Sequence, residues 1–351
     1  MKKTILFFLL SGLFAFTTKA TVYTVSNNTA LPGSPGQYTT VSAAMSAASS
    51  GDTILIQPSA TNYGNFTLTK QLAIIGSGYN PQTTSGLKSE VGIITLGTGS
   101  SGSKIIGLSF TGYIDTNSAF AISNYTISRC YIFGINLNNA GAGGDPSGAL
   151  IIENNVIVGV VTLSSSSSNT IRNNFFNVGS NARIDGKYSN NTDVIKNNTF
   201  ICVWSEPLGN MKNDLVENNI FYNNFPNVST CVTSTFNNNY VFGSSTLPFG
   251  SNVGSGNISN TTPVFPVFVC GQSFTFNVDY RLAPGHVCIN GGTDGTDIGM
   301  TGGAVPFYRY AAPYPMTGEP AIPQVREVTI PVSSVPAGGT LNINVKARKR
   351  D

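Results

Sequence analysis

The chain of 351 residues is 40% hydrophobic and only 10% charged. Removal of an N-terminal leader with three lysines lowers the Lys and Arg count from 19 to 16, which equals the 16 acidic residues. The only basic cluster is the short tail at 346–350, which we interpret as a solvated terminus. A neutral chain with no other clustered basic residues excludes the electrostatic pattern of nucleic-acid-binding proteins and of proteins that bind anionic membranes.

The first 20 residues have the pattern of a Sec-type signal peptide. Two lysines precede the apolar run at 5–16, and a small-residue exit ends at Ala20. This run is too short to span a bilayer, and no later segment approaches the roughly 18 uninterrupted apolar residues of a membrane helix. We therefore predict cleavage near Ala20 and a secreted protein, located outside the cell, at its surface or in the periplasm.

The segment at 39–50 predicts a short amphipathic helix with a threonine N-cap and Gly51 after its end. Its apolar face consists of Val41, Ala44, Met45 and Ala48. Such a helix would close the apolar end of a stacked fold. Short apolar runs between turn residues then predict strands at 53–57, 66–69 and 72–75.

A six-residue phrase, apolar-x-Asn-Asn-x-apolar, recurs through the middle of the chain. It begins at Ile152, Ile171, Ile195, Val216 and Phe236, with weaker copies at Ile105 and Ile127. The starts are separated by 22, 25, 19, 24, 21 and 20 residues, about 22 on average. This period suits one coil of a β-solenoid and is too short for a helical repeat. The sequence therefore predicts an all-β, three-sheet parallel β-helix.

The paired asparagines of the phrase have a structural interpretation. Asparagine tolerates left-handed backbone angles, and its amide can donate to and accept from the same residue one coil away. Stacked coils would therefore carry an asparagine ladder, which we favour over a catalytic role for these residues.

Charged residues follow successive phrase starts at Glu153, Arg172, Lys196 and Glu217. On an outward face they would lie about one strand spacing, roughly 4.8 Å, apart. One interpretation is a ladder of surface ion pairs, each of which contributes little. The alternative is a strip that binds uronate carboxylates, in which Arg172 and Lys196 would bind substrate and be the candidates for catalysis.

Two aspartates, Asp193 and Asp214, precede successive phrase starts by two places and are predicted to lie on adjacent coils. Paired carboxylates can bind Ca²⁺ or act as acid and base in glycoside hydrolysis. The segment 191–193, Asn-Thr-Asp, is similar to a motif of polygalacturonases, but the Asp-Asp, Gly-His-Gly and Arg-Ile-Lys elements of that family are missing. The alternative is that both aspartates cap turns.

Trp204, the only tryptophan, lies in an insertion with Glu206. An exposed indole beside a carboxylate predicts a sugar-stacking platform, whereas a buried indole would belong to the core. His286 is the only histidine, which excludes a zinc site built on several histidines. Five cysteines permit disulfides in an exported chain; a Cys270–Cys288 bridge and unpaired cysteines in the core are both open.

The composition changes after residue 303. Seven prolines lie between residues 306 and 336, and alternating stretches at 325–330 and 340–345 predict a hairpin that covers the last coil. The predicted division is a signal peptide at 1–20, a β-helix domain at 21–303, and a Pro-rich segment with a C-terminal hairpin cap at 304–351. A small separate module at the C-terminus is the alternative.

The sequence resembles the pectin-lyase-like superfamily of right-handed parallel β-helix proteins over roughly residues 22–303. Segments 38–54 and 72–78 are similar to the helix cap and first coils of this superfamily, and the Asn-Asn phrases are similar to its repeats. The stretch at 280–299 is similar to the last coil of many secreted bacterial members. The resemblance implies the fold and its handedness. It leaves activity open, because the superfamily includes lyases, hydrolases, epimerases and non-enzymatic adhesins.

The leading hypothesis is a secreted β-helix protein that binds extracellular or cell-surface polysaccharide on a solvent-facing sheet, without catalysis. It is expected to be a monomer with no cofactor, no nucleic-acid partner and no membrane span. The alternative is a polysaccharide lyase that acts by β-elimination on uronate-containing glycans, helped by Ca²⁺. A structural surface or adhesin module is the second alternative.

Overall fold

The protein forms a right-handed parallel β-helix of about eight turns, which confirms the predicted fold class. The structure is a computed structural model that describes residues 20–28, 35–83, 86–116, 122–137, 148–164, 168–176, 181–188, 192–201, 206–227, 229–266, 270, 275–276, 278–307, 316–331 and 334–348. The predicted signal peptide lies outside these ranges, apart from its last residue. None of the helices in the described ranges has the length and apolarity needed to cross a membrane.

Three parallel sheets run along the stack in the described ranges. The long sheet has 11 strands, in spatial order Gln37–Tyr38, Val22–Val25, Thr53–Ile56, Ala73–Ile75, Lys104–Ile106, Thr126–Ser128, Ile151–Glu153, Thr170–Arg172, Val194–Lys196, Leu215–Glu217 and Thr235–Asn237. The covered sheet has 9, Glu90–Val91, Ser109–Phe110, Tyr131–Ile132, Val156–Ile157, Phe175–Phe176, Thr199–Ile201, Ile220–Tyr222, Tyr240–Phe242 and Ile258–Asn260. The open sheet has 7, Phe66–Leu68, Ile94–Leu96, Ile114–Thr116, Ile135–Asn136, Val160–Thr162, Arg183–Asp185 and Leu208–Gly209.

The repeat sets the register of the long sheet. Successive Cα partners on this sheet are the seven phrase starts, Ile105, Ile127, Ile152, Ile171, Ile195, Val216 and Phe236. Each of them is 0% exposed. Burial of a side chain of this size contributes about 1.5–3 kcal/mol. Because side chains alternate along a strand, the residues on either side of each start face outward.

A short helix, Val41–Ala47, closes the N-terminal end of the stack as predicted. Thr40 is its N-cap, and the side-chain oxygen of Thr40 accepts a backbone N–H three residues on at 3.2 Å. Lys70 Nζ donates to the carbonyl oxygens of Met45 and Ala48 at 2.9 and 2.7 Å. The lysine therefore satisfies carbonyl groups that the helix itself leaves without a partner.

The two asparagines of each phrase have different roles. The first takes a left-handed backbone angle, with φ of 54°, 53°, 52°, 57° and 48° at Asn154, Asn173, Asn197, Asn218 and Asn238. The second forms the predicted ladder. Its side-chain oxygen accepts the backbone N–H and the Nδ2 of the preceding rung at 2.9–3.1 Å, along the series Asn155, Asn174, Asn198, Asn219, Asn239 and Asn257.

After the last coil the chain returns along the side of the stack. We call residues 280–307 and 316–320 the strap. The first asparagines of the phrases bind its carbonyl oxygens in reverse order, with Asn238 Nδ2 bonded to Gly291, Asn197 to Asp297, Asn173 to Gly302 and Asn154 to Val305, at 2.9, 3.1, 2.7 and 2.9 Å. The strap therefore ends beside the early coils, where Arg129 Nη1 donates to the carbonyl of Glu319 at 2.7 Å.

The strap and the segment before it bury the outer side of the covered sheet. Their apolar side chains pack against outward-facing residues of that sheet in a second core, which includes Val156, Phe175, Ile201, Tyr222 and Tyr240 from the sheet and Phe265, Tyr280, Ile298, Met300 and Met316 from the covering segments. Residues 280–299, expected to form the last coil, contain no strand in their described positions. The domain boundary expected at residue 303 lies inside the strap.

The C-terminal hairpin forms where the alternating pattern predicts it. Strands Gln324–Thr329 and Asn344–Arg348 pair in antiparallel register. Its apolar side chains are exposed, with Val325, Val328, Ile330, Leu341, Ile343 and Val345 between 46% and 60%. The two strands pair with each other, and the expectation that the hairpin covers the last coil stays a prediction.

The structure contradicts one of the two expectations for how the cysteines are paired. Cys130, Cys231 and Cys288 are free and buried, so a Cys270–Cys288 bridge is wrong. Cys270 is disulfide-bonded, and its partner lies outside the described residues. Burial raises the pKa of the Cys130 and Cys231 thiols to about 12, which keeps them protonated and unreactive.

Candidate functional site

The charged row on the long sheet forms as the repeat predicts. Glu153, Arg172, Lys196 and Glu217 are successive Cα partners. Arg172 Nε and Nη2 donate to Glu153 Oε2 at 2.8 and 2.7 Å. Among the described residues, no carboxylate lies within 4.0 Å of Lys196 Nζ, although Asp294 of the strap interacts with it electrostatically. Arg172 is therefore engaged by its neighbour, and Lys196 is the more available cation.

Asp193 and Asp214 lie on adjacent coils, but both are buried, at 0% and 2% exposed. Asp214 Oδ1 accepts the backbone N–H of Asp193 at 2.9 Å, and its Oδ2 accepts that of Lys212 at 2.8 Å. Asp193 Oδ1 accepts the backbone N–H of Asn169 at 2.6 Å. The two aspartates are rungs of a second ladder, which continues through Ser234 and ends at Asn252.

This arrangement does not fit a Ca²⁺ site. Calcium takes about six to eight oxygen ligands, whereas both oxygens of Asp214 already accept backbone N–H groups. The described part of the chain contains no group of three His, Cys, Asp or Glu side chains that could hold a metal ion. Burial raises the pKa of Asp214 to about 7, against the backbone hydrogen bonds that lower it. The geometry is that of turn-capping residues.

The remaining predicted site residues are not brought together. Trp204 lies outside the described residues, and Glu206 is exposed. Arg172 faces outward on the long sheet, while Asp193 is buried in a turn, so they share no cleft. His286 is 5% exposed, and its Nδ1 accepts the backbone N–H of Cys288 at 3.2 Å. Burial lowers the pKa of His286, which keeps it neutral.

The open sheet carries a row of polar side chains that the sequence interpretation missed. Its members are successive Cα partners on the outward face, Thr67, Thr95, Asp115, Asn136, Thr162 and Asp185. We call them the polar row. Neighbouring members lie about one strand spacing, roughly 4.8 Å, apart. Asn136 Nδ2 donates to Asp115 Oδ1 at 3.2 Å, so amide and carboxylate are held side by side.

One end of the polar row is a charged cluster around Asp185. Arg183 Nη2 and Lys187 Nζ lie 3.6 and 3.8 Å from Asp185 Oδ2. Asn210 Nδ2 donates to Asp185 Oδ1 at 2.9 Å. The side chain of Asp185 is 8% exposed, whereas those of Arg183 and Lys187 are 34% and 35% exposed. Two partly exposed cations therefore flank a buried carboxylate.

Two exposed aromatic residues lie just before neighbouring strands of the open sheet. Tyr113 is 50% and Phe133 is 43% exposed. A Cβ atom added to Gly134 would lie 2.9 Å from Tyr113 Cδ1, so only glycine leaves room for the ring over this backbone. Tyr113 directly precedes a buried isoleucine, and Asp115 follows it. The ring and the carboxylate therefore lie on the same outward face.

A local signal for this face exists in the sequence. Segments 113–115 and 183–185 both place an outward polar or aromatic residue and an outward aspartate on either side of a buried isoleucine. The repeat could not align them, because the inward partners Ile114, Ile135, Val161, Ile184 and Leu208 carry no recurring phrase and lie 9, 8, 9, 13 and 13 residues after the preceding phrase start.

Comparisons with known proteins give one structural likeness. No protein-family model and no curated protein sequence matches the chain. A search of solved structures finds similarity to a crystal structure of pectate lyase Pel9A, with 14% sequence identity and a TM-score of 0.39. The match covers 80% of this chain and 96% of that one. The fold assignment follows from the strand pairing of this chain itself.

Proposed function

We propose that this secreted protein binds an extracellular or cell-surface polysaccharide along the open sheet, and that it holds the polymer without cleaving it. The observation that supports this proposal is the in-register polar row with the exposed ring of Tyr113 on the same face. Hydroxyl, amide and carboxylate groups bond sugar hydroxyls, and an aromatic ring packs on the apolar face of a sugar. A polymer with a regular repeat can meet the same groups on successive coils.

The state of the cations favours binding over β-elimination. A lyase needs a cation to neutralise the substrate carboxylate and a free base near the acidic proton. Arg172 is bonded to Glu153, and both Arg183 and Lys187 lie beside Asp185. In each pair, a carboxylate of the protein already lies beside the cation, so the cation is less available to neutralise a uronate carboxylate. Lys196 is the cation of the charged row that has no carboxylate within 4.0 Å among the described residues, so it is the residue on which the lyase alternative depends.

Export is supported by the leader pattern and by the disulfide at Cys270. Disulfides persist in oxidising compartments and are rare in the cytosol. A location outside the cytoplasm is where an extracellular polysaccharide would be met.

The proposal is tested by binding to a panel of soluble polysaccharides, measured by calorimetry. The variant Tyr113→Ala is expected to weaken binding about tenfold, because one aromatic contact contributes about 1–2 kcal/mol. Lys196→Ala on the long sheet is the control and is expected to bind normally. Loss of binding in Lys196→Ala alone would move the site to the long sheet and contradict the proposal.

Catalysis is followed in the same samples by the absorbance of unsaturated products, with and without Ca²⁺. The proposal expects binding without such products. Product formation that Lys196→Ala abolishes would establish the lyase instead. Absence of binding to every polysaccharide would favour a structural module.

A further inference from the structure

Among the described residues, the last coil, residues 253–260, has a strand neighbour on one side only. Strand Ile258–Asn260 pairs with Tyr240–Phe242 and is the terminal strand of the covered sheet. A strand directs the backbone groups of alternate residues to its two neighbours. The N–H of Ser259 therefore points away from the stack, and no described residue accepts it.

The asparagine ladder also ends at this coil with an unused donor. The backbone N–H and Nδ2 of Asn239 both donate to Asn257 Oδ1 at 3.0 Å. Asn257 Nδ2 donates back to Phe236 O at 2.7 Å. The backbone N–H of Asn257 occupies the position from which each earlier rung bonds the next side-chain oxygen, but no described residue accepts it. The last coil thus keeps two donors of the kind that each earlier coil uses to bind its successor, and no described residue accepts them.

The segment that forms this edge contains no charged residue. Residues 218–278 contain no Asp, Glu, Lys, Arg or His. Val253 on the last coil is 60% exposed, and Leu247 and Phe249 pack partly buried against the main core beside it. Charged side chains are a common protection of exposed strand edges against pairing with another chain. An edge without them favours such pairing.

The opposite end of the stack is closed. The helix Val41–Ala47 packs against the first strands and covers the apolar end of the first coil, which disfavours head-to-tail stacking of copies into a filament. A single open end permits one closed, self-complementary contact between two copies. Two identical neutral surfaces can meet across a twofold axis without placing like charges opposite one another.

We propose that two copies of this protein join through their last coils, with the strand edges pairing across a twofold axis. This proposal goes beyond polysaccharide binding and replaces the monomer that the sequence suggested. The pairing would supply acceptors for the N–H groups of Asn257 and Ser259. It would leave the open sheets of both copies free along their length.

Sedimentation equilibrium of the purified protein tests the proposal. The unchanged protein is expected to be a concentration-dependent dimer. Val253→Lys places like charges across the proposed axis and is expected to weaken the dimer about tenfold or more. The matched control is Val22→Lys, because Val22 is 54% exposed near the closed end, and this variant is expected to dimerise normally. If Val253→Lys fails to fold, Ser255→Lys at an exposed position of the same coil replaces it and is expected to weaken the dimer in the same way.

A monomer at every concentration would overturn the proposal. So would a dimer that neither Val253→Lys nor Ser255→Lys weakens. The apolar hairpin face is the competing contact, and Val328→Lys on that face tests it. Loss of the dimer in Val328→Lys, with the dimer retained in Val253→Lys, would assign the interface to the hairpin.

Discussion

Asn198 lies in the middle of the asparagine ladder and makes four hydrogen bonds through its side chain. Its Oδ1 accepts the backbone N–H and Nδ2 of Asn174, each at 3.0 Å. Its Nδ2 donates to Ile171 O at 2.8 Å and to Asn219 Oδ1 at 3.1 Å. Asn198 is 0% exposed, so water cannot replace these partners.

We expect Asn198→Ala to lower the free energy of unfolding by about 3 kcal/mol, because several buried groups lose their partner. Urea unfolding followed by circular dichroism measures the change. The control is Asn237→Ala, at a partly exposed position two coils further along the stack. Its effect on the free energy of unfolding should stay below about 1 kcal/mol. Equal effects of the two substitutions would contradict the role given to the ladder.

Asp214 makes stability depend on pH. Burial raises its pKa from 3.8 to about 7, so the folded protein binds this proton more tightly than the unfolded chain does. The stabilisation is complete below the unfolded pKa and is lost as the pH rises through the folded pKa. The protein should therefore gain stability on the order of 2 kcal/mol from this residue between about pH 8 and about pH 5.

The variant Asp214→Ser isolates this contribution. A serine already forms the next rung at Ser234, where its Oγ accepts the backbone N–H of Asp214 at 3.1 Å. Urea unfolding at the two pH values should give a smaller difference for the variant than for the unchanged protein. His286 acts in the opposite direction, because burial lowers its pKa, but it is present in both proteins. An identical pH dependence in both would refute the assignment.

Single residues differ in how far the sequence predicts them. The second asparagine of each phrase is predictable, because its partner is the same residue one period away. The first asparagine is not, because its partner depends on a distant segment. Asn173, for example, bonds the carbonyl of Gly302, 129 residues further on. The repeat contains no information about that segment.

Among the elements, the strap is the one whose place in the fold the sequence did not predict, and it has a large structural effect. Ile298 in the strap is 0% exposed and belongs to the second core, whereas Ile289 is 38% exposed. The two residues belong to the same element and differ mainly in burial. They therefore provide a matched pair for testing how much the strap stabilises the covered sheet.

We expect Ile298→Ala to cost about 2–4 kcal/mol and Ile289→Ala less than about 1 kcal/mol. Thermal unfolding and binding of a hydrophobic dye report the two effects. Ile298→Ala should also raise dye binding, because a loosened strap exposes the apolar outer face of the covered sheet. A large effect of Ile289→Ala, or none of Ile298→Ala, would show that the strap packs differently.

The elements also differ in predictability for a physical reason. The long sheet follows from the repeat, because the phrase starts Ile152, Ile171 and Ile195 are buried and occupy the same register position in successive coils. The open sheet does not, because the insertions before its strands vary in length. The polar row with Asp115 and Asp185 was therefore missed, although both aspartates lie next to a buried isoleucine.

The whole molecule behaves as a one-dimensional stack in which each coil contacts its neighbours. Stability in such a stack depends on the interfaces between adjacent coils and on the caps at its ends. The two ends of this protein differ, since a helix covers the first coil, whereas no described residue pairs with the outer edge of the last coil. Damage to the cap should therefore spread from the N-terminal end and fade along the stack.

Ala44→Asp tests this behaviour. Ala44 is 0% exposed on the helix that covers the first coil, so the substitution buries an unpaired carboxylate at a cost of more than about 3 kcal/mol. Hydrogen exchange should increase in the early strands Thr53–Ile56 and Ala73–Ile75, while Leu215–Glu217 keeps its protection. Ala43→Asp on the exposed side of the same helix is the control and should exchange like the unchanged protein. Equal loss of protection in all coils would mean that the stack unfolds as one unit, because the strap couples its two ends.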